Sequence, residues 1–166
     1  MTLTLDNTVG GANANAYCSI AEADAYHEAR GFNDRWVTGS VSEKTAAIVW
    51  ATRLLDMENF VGTMTVRTGA LRWPRFGIID RDYRIVDPQV IPQFIKNAVA
   101  EWAFFLLSED RTADEGGLVQ YGGKVGPITD PAYFTRKTMP SSVADILRPY
   151  LAGAYFGSGV GHVRRG

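Results

Sequence analysis

The sequence predicts a mainly α-helical fold, a small bundle of about four helices with a short β-hairpin excursion and an extended C-terminal tail. Three observations predict it. Serine caps precede segments whose apolar residues recur every three to four positions. The β-prone runs near residues 71–87 are short and flank a polar turn. After Gly153 the chain becomes too glycine-rich to order on its own.

Residues 1–18 read as an extended arm broken at Gly10-Gly11. Ser19-Ile-Ala-Glu22 is a capping box, so a helix is predicted over 20–30, stopping at Gly31 as the C′ residue. A loop with Phe32 and Trp36 leads to Ser42, the expected N-cap of a second helix from Glu43 to about Asn59. Its apolar stripe is Ile48, Ala51, Leu54 and Leu55. Leu71-Arg-Trp-Pro-Arg-Phe-Gly77, Ile78-Ile79 and Tyr83-Arg-Ile-Val86 suggest a hairpin turning at Asp80-Arg-Asp82. Pro92 suits the first turn of a third helix, to about Ser108, with Ile95, Ala98, Val99, Trp102, Phe105 and Leu106 as its core face. Leu118-Val-Gln-Tyr and Lys124-Val-Gly-Pro-Ile128 are short strands or extended segments, and Asp130-Pro-Ala-Tyr-Phe-Thr does not clearly continue as a strand. A last helix, capped by Ser142 and punctuated by Pro149, ends at Gly153.

At 166 residues the chain fits one domain, expected over 1–152 (arm 1–18, hairpin about 71–87), with a partner-binding tail at 153–166. Net charge is −1, which excludes the global basicity of a generic nucleic-acid binder. From Pro131 onward, however, the balance is +4, so the first 130 residues carry −5. An acidic body with a basic end suits docking to an acidic surface or head-to-tail contacts among copies. Cys18, the only cysteine, allows no internal disulfide. Met1 to Asp6 lacks a basic region followed by an apolar one, and the longest apolar run, Trp102 to Leu107, is far below a membrane span. A protein made and folded in the cytosol, with no membrane contact, is expected.

The inventory for catalysis is poor. His27 and His162 are the only histidines, and Cys18 with His27 is more simply a small apolar residue beside a helix start. Paired zinc ligands and a P-loop are missing, and Asp80, Asp82 and Asp87 lack the further ligands of a calcium loop. The expectation is a non-enzyme with no cofactor and no metal. Two segments carry binding chemistry. Arg72-Trp73-Pro74-Arg75-Phe76 alternates cations with aromatics, as single-strand binders do. The competing account makes Trp73 and Phe76 core anchors with snorkelling arginines, and Asp80 and Asp82 nearby would repel phosphate. In the tail, Tyr155, Phe156, Val160 and Val163 are apolar and Arg164 and Arg165 basic, a composition that orders on a partner or packs on its own domain.

Ala14-Asn-Ala-Tyr17-Cys-Ser-Ile-Ala-Glu-Ala-Asp-Ala-Tyr26, Ala51-Thr-Arg-Leu-Leu-Asp56, Leu71-Arg-Trp-Pro-Arg75 and Asp80-Arg-Asp82 occur in that order. Pro92-Gln-Phe-Ile-Lys-Asn-Ala, Glu101-Trp-Ala, Lys124-Val-Gly-Pro-Ile128 and Val163-Arg-Arg-Gly166 follow. Together they resemble a DnaT-like family of tailed phages and prophages, along nearly the whole chain. That family is similar in turn to the head–tail connector adaptors of long-tailed phages. The resemblance implies a structural virion protein at the head–tail interface, present in host cytoplasm before assembly. It would form a homododecameric ring that binds the portal protein through Tyr155, Phe156, Val160, Val163, Arg164 and Arg165, meets a downstream tail, stopper or tail-terminator protein, and lets packaged duplex DNA pass without specific binding. The alternative is a single-stranded-DNA-binding replication accessory using Arg72, Trp73, Arg75 and Phe76. A third reading is a prophage-encoded, host-directed regulatory factor.

Overall fold

The computed structural model describes residues 3–108, 118–125, 128–135 and 139–153. Its organising element is α4 (Gln93–Ser108), which packs against α1 (Ile20–Arg30), α2 (Asp34–Thr38), α3 (Val41–Asp56) and α5 (Ser141–Leu147). The reason lies in its sequence. Ile95, Ala98, Val99, Ala100, Trp102 and Ala103 are buried, and the alanines allow neighbouring backbones to approach closely. The mainly helical prediction holds, with α2 added to the four expected helices.

Local chemistry sets the helix limits. Ser19 and Ser40 each accept from the backbone of a glutamate three residues on, which reaches back to the cap amide, so α1 and α3 both begin in capping boxes. The cap of α3 is therefore Ser40, not Ser42, because Glu43 stands at the third position only from Ser40. α1 stops at Gly31, whose φ of 67° is open to glycine at no cost. The N-cap of α5 is Pro140 instead of Ser142, and α5 continues as a 3₁₀ turn over Arg148–Tyr150.

The expected hairpin turn is present, with Asp80 donating to Arg84 and Val86 to Ile78, and two further pairings accompany it. β1 (Thr63–Met64) pairs antiparallel with β2 (Arg75–Phe76), and the 71–87 region keeps only one bridge of its own, Ile79 to Ile85. Gly77, at φ 82°, turns the chain between the two pairings. The larger hairpin lies later. β3 (Leu118–Val125) pairs with β4 (Ile128–Thr135) from Leu118–Thr135 to Val125–Ile128. Asp130 to Thr135 is thus a strand despite Pro131, which a two-stranded ladder tolerates because each strand has an open edge needing no donor.

The N-terminal arm is fastened down. Asp6 and Asn15 exchange backbone and side-chain hydrogen bonds, Ala70 donates to Gly11, and Ala16, Tyr17 and Cys18 are buried. At the other end, Val61 donates to Tyr150 and Ala152 to Asn59, so residues 148–153 clasp the link that leads from α3 into β1. Residues from 154 onward, including Tyr155, Phe156, Val160, Val163, Arg164 and Arg165, lie outside the described residues.

Candidate functional site

The segment from Arg72 to Ile85 is held on the bundle by two buried devices. The first is a knot at its start. The Tyr17 hydroxyl donates to Asp56 and accepts from the Trp73 amide at 3.1 Å, while the Arg72 amide donates to the same carboxylate at 3.2 Å. Burial pushes both the Tyr17 phenol and the Asp56 carboxyl above their ordinary pKa values. The second is Arg75. Its guanidinium donates to the carbonyl oxygens of Val61 (2.9 Å), Gly62 (2.6 Å) and Phe60 (3.3 Å), tying β2 to the link between α3 and β1. Burial lowers its pKa, with Arg72 nearby adding to the effect.

These contacts divide the four residues of the cation–aromatic motif. Trp73 is 1% exposed and packs edge-on against Phe60 and Phe94, the latter stacked on Tyr150 at 3.9 Å. No base can reach its ring, and Arg75 is committed to carbonyls. Trp73 and Arg75 therefore build the platform. Arg72 and Phe76 remain at the surface, Phe76 being 63% exposed.

The residues that sequence reasoning missed lie in the adjoining turn. Tyr83 is 91% exposed and holds a left-handed φ of 61° at its tip. Ile79 and Ile85, cross-strand partners, expose their side chains beside it. Ile78 is buried on the opposite face and anchors the turn to the core. The two aspartates bond within the turn itself, Asp80 partly covered and Asp82 exposed. Asp80 accepts from the Arg84 and Asp82 amides at 2.8 Å and from the Arg84 Nε at 3.0 Å, and Arg84 also bonds Asp82 at 2.8 Å. Hydrogen bonding, led by the Arg84 backbone, holds the Asp80 carboxyl below its usual pKa. Arg84 thus offsets half the charge of the carboxylates that would otherwise repel phosphate. Arg81 donates to the Asp145 carbonyl oxygen at 2.9 Å and keeps its charge at the surface, as do Arg67 and Arg72. Between Val61 and Val86 five arginines stand against two aspartates, a local surplus of +3 on a chain of net −1.

The other candidate chemistry is not brought together. Cys18 is buried, its thiol pushed up to about 12 by burial and by Glu22. His27 instead bonds the Ala100 carbonyl oxygen through Nε2 at 3.0 Å and lies against Trp36 and Phe104. Among the described residues no group of three or more His, Cys, Asp or Glu could hold a metal ion, and no helix is long and apolar enough to cross a membrane.

The chain matches, over residues 1–166, the family described as "Putative DnaT-like ssDNA binding protein". The chain belongs to this family. No curated protein and no solved structure matches it. The DnaT-like match corrects the reading as a phage virion component. The family's description names single-stranded DNA as its ligand, not a portal, a tail component or a head-completion ring. Nothing in it supports the portal protein, the dodecameric ring, the stopper or tail-terminator partner, or a lumen through which DNA slides unbound.

Proposed function

We propose that the chain binds single-stranded DNA as a non-catalytic replication accessory, through the surface of residues 67–85. The observation that carries this reading is the exposed pair Phe76 and Tyr83 on a segment bordered by Arg67, Arg72 and Arg81. Unpaired bases offer π-faces that a duplex hides, and exposed rings take them by stacking while arginines meet the phosphates between. The family description supports the same ligand. The buried Trp73 and Arg75 serve it indirectly, by fixing the strand that presents Phe76.

Fluorescence anisotropy of a labelled oligothymidylate tests this. Phe76→Ala and Tyr83→Ala are each expected to weaken binding about tenfold, the usual scale of one lost base stack. Because both side chains are exposed, circular dichroism should stay at wild-type values. Failure of the wild-type chain to bind, or full affinity in the double variant, would sink the proposal.

A further inference from the structure

A second surface has the same chemistry and no assigned role. Along α3, Glu43, Ala46, Trp50, Arg53 and Met57 recur at intervals of three and four, and all are exposed although the rest of the helix is largely buried. Trp50 stands apart from the other three tryptophans. It is 38% exposed, whereas Trp36, Trp73 and Trp102 are at 2% or less. It borders an open cleft of about 430 Å³ between α3, α2 and the end of α4, floored by Ala46 and Ala47 and walled by Leu106 and Leu107. That volume lies within the range of small-ligand sites.

Two cations lie near the indole, Arg35 lining the cleft with it and Arg53 beyond the lining, three residues on along α3. Arg35 reaches the cleft from α2 and is fixed there by its Nε, which donates to the Leu107 carbonyl oxygen at 2.7 Å. Arg53 follows Trp50 by one helical turn, and among the described residues its side chain has no hydrogen-bond or ion-pair partner. The one carboxylate lining the cleft, Glu43, is bonded at the helix start, and Arg35 adds to the stabilisation of its charge. Glu43 accepts from the Ser40 amide and hydroxyl at 2.8 Å, where the positive end of the helix offsets its charge.

We infer that the Trp50 cleft is a second contact for single-stranded nucleic acid, seating one base against the indole with the phosphates on either side meeting Arg35 and Arg53. Charge complementarity selects this occupant. An apolar partner helix would leave Arg53 unanswered, and an acidic one would have no use for an indole near two guanidiniums. The inference rests on the proposed DNA-binding function and adds a separate site to it.

The test uses the full chain and an oligothymidylate, with two readouts in one titration. Anisotropy of a label on the DNA reports binding anywhere. Tryptophan emission reports the cleft, because Trp50 is the one tryptophan a base can touch. The expected result is quenching that tracks the anisotropy, lost in Trp50→Phe. Trp50→Ala should weaken binding about tenfold, and Arg53→Ala should lower the salt slope by about 0.7. Rising anisotropy with unchanged emission would overturn the cleft site and leave the 67–85 surface standing. No anisotropy change at all would remove the DNA-binding reading and this site with it. An emission shift that grows with protein concentration, without DNA, would make the face a contact between copies and also overturn the inference.

Discussion

Arg75 and Tyr83 lie eight positions apart on one segment and are used in opposite ways. Arg75 gives its guanidinium to four main-chain oxygens, so its charge serves the fold, while Tyr83 leaves nearly its whole ring to solvent. His27 shows the same economy in the core. Its Nε2 bonds Ala100, its Nδ1 has no hydrogen-bond partner among the described residues, and its ring packs on Trp36 and Phe104. Burial lowers its pKa, an effect opposed by the carboxylates of Glu101 and Asp24 and aided by Arg30. Since the folded pKa lies below the unfolded one of about 6.5, the unfolded chain binds the extra proton and stability falls as pH drops. Unfolding free energies from urea titrations should therefore be flat above about pH 7 and decline from about 6.5 toward 5, by at most about 1.4 kcal/mol per pH unit. His27→Gln should flatten that decline. An unchanged slope in the variant would assign the decline to other groups. Whether the members of the cation–aromatic motif are exposed was not legible from Arg72 to Phe76, because the alternation looks the same with either aromatic inside. What decides is the Tyr17–Asp56 knot, formed by residues far from the motif.

Elements were legible in proportion to their length and the strength of their caps. α4 could be read from its apolar period, and α1 from Ser19, Glu22 and Gly31, all of which act as the sequence says. α2, with five residues, is too short to show a period, and its one buried side chain, Trp36, is held by a bond from Nε1 to Asp24 at 2.7 Å. The β1–β2 pairing was hidden because Thr63 and Met64 carry no alternation, and their partner strand follows a loop of ten residues. That pairing depends on Gly62. At φ 72°, a β-carbon there would stand 2.3 Å from the Phe76 carbonyl oxygen and 2.9 Å from Ile78. Neither neighbour can give way easily, since one is backbone and the other is buried. Gly62→Ala combines left-handed strain with a clash, and should cost about 2–4 kcal/mol in denaturant unfolding. Gly31→Ala, with a similar φ and nothing near its β-carbon, should cost only about 1 kcal/mol. Equal losses in the two variants would mean that the close approach of β2 to Gly62 contributes nothing.

At the scale of the whole molecule, the charge balance that argued against nucleic acid turns out to be an average over unlike surfaces. The +3 surplus between Val61 and Val86 leaves −4 on the remainder, so long-range attraction to DNA is weak and contact must be local. Stacking then supplies most of the affinity, and the salt response should be shallow. If Arg67, Arg72 and Arg81 each meet one phosphate, log K should fall with log salt at a slope of about −2, at about 0.7 per phosphate on a single strand. Strand contact at Arg35 and Arg53 as well would steepen it to about −3.5. Duplex DNA presents more phosphate but no open base face, so it should compete poorly at every salt concentration. Anisotropy titrations across a salt series, with a duplex competitor, measure both quantities. A slope much steeper than −3.5, or duplex competing on equal terms, would identify a charge-driven surface, for which Phe76 and Tyr83 would not be the organising residues.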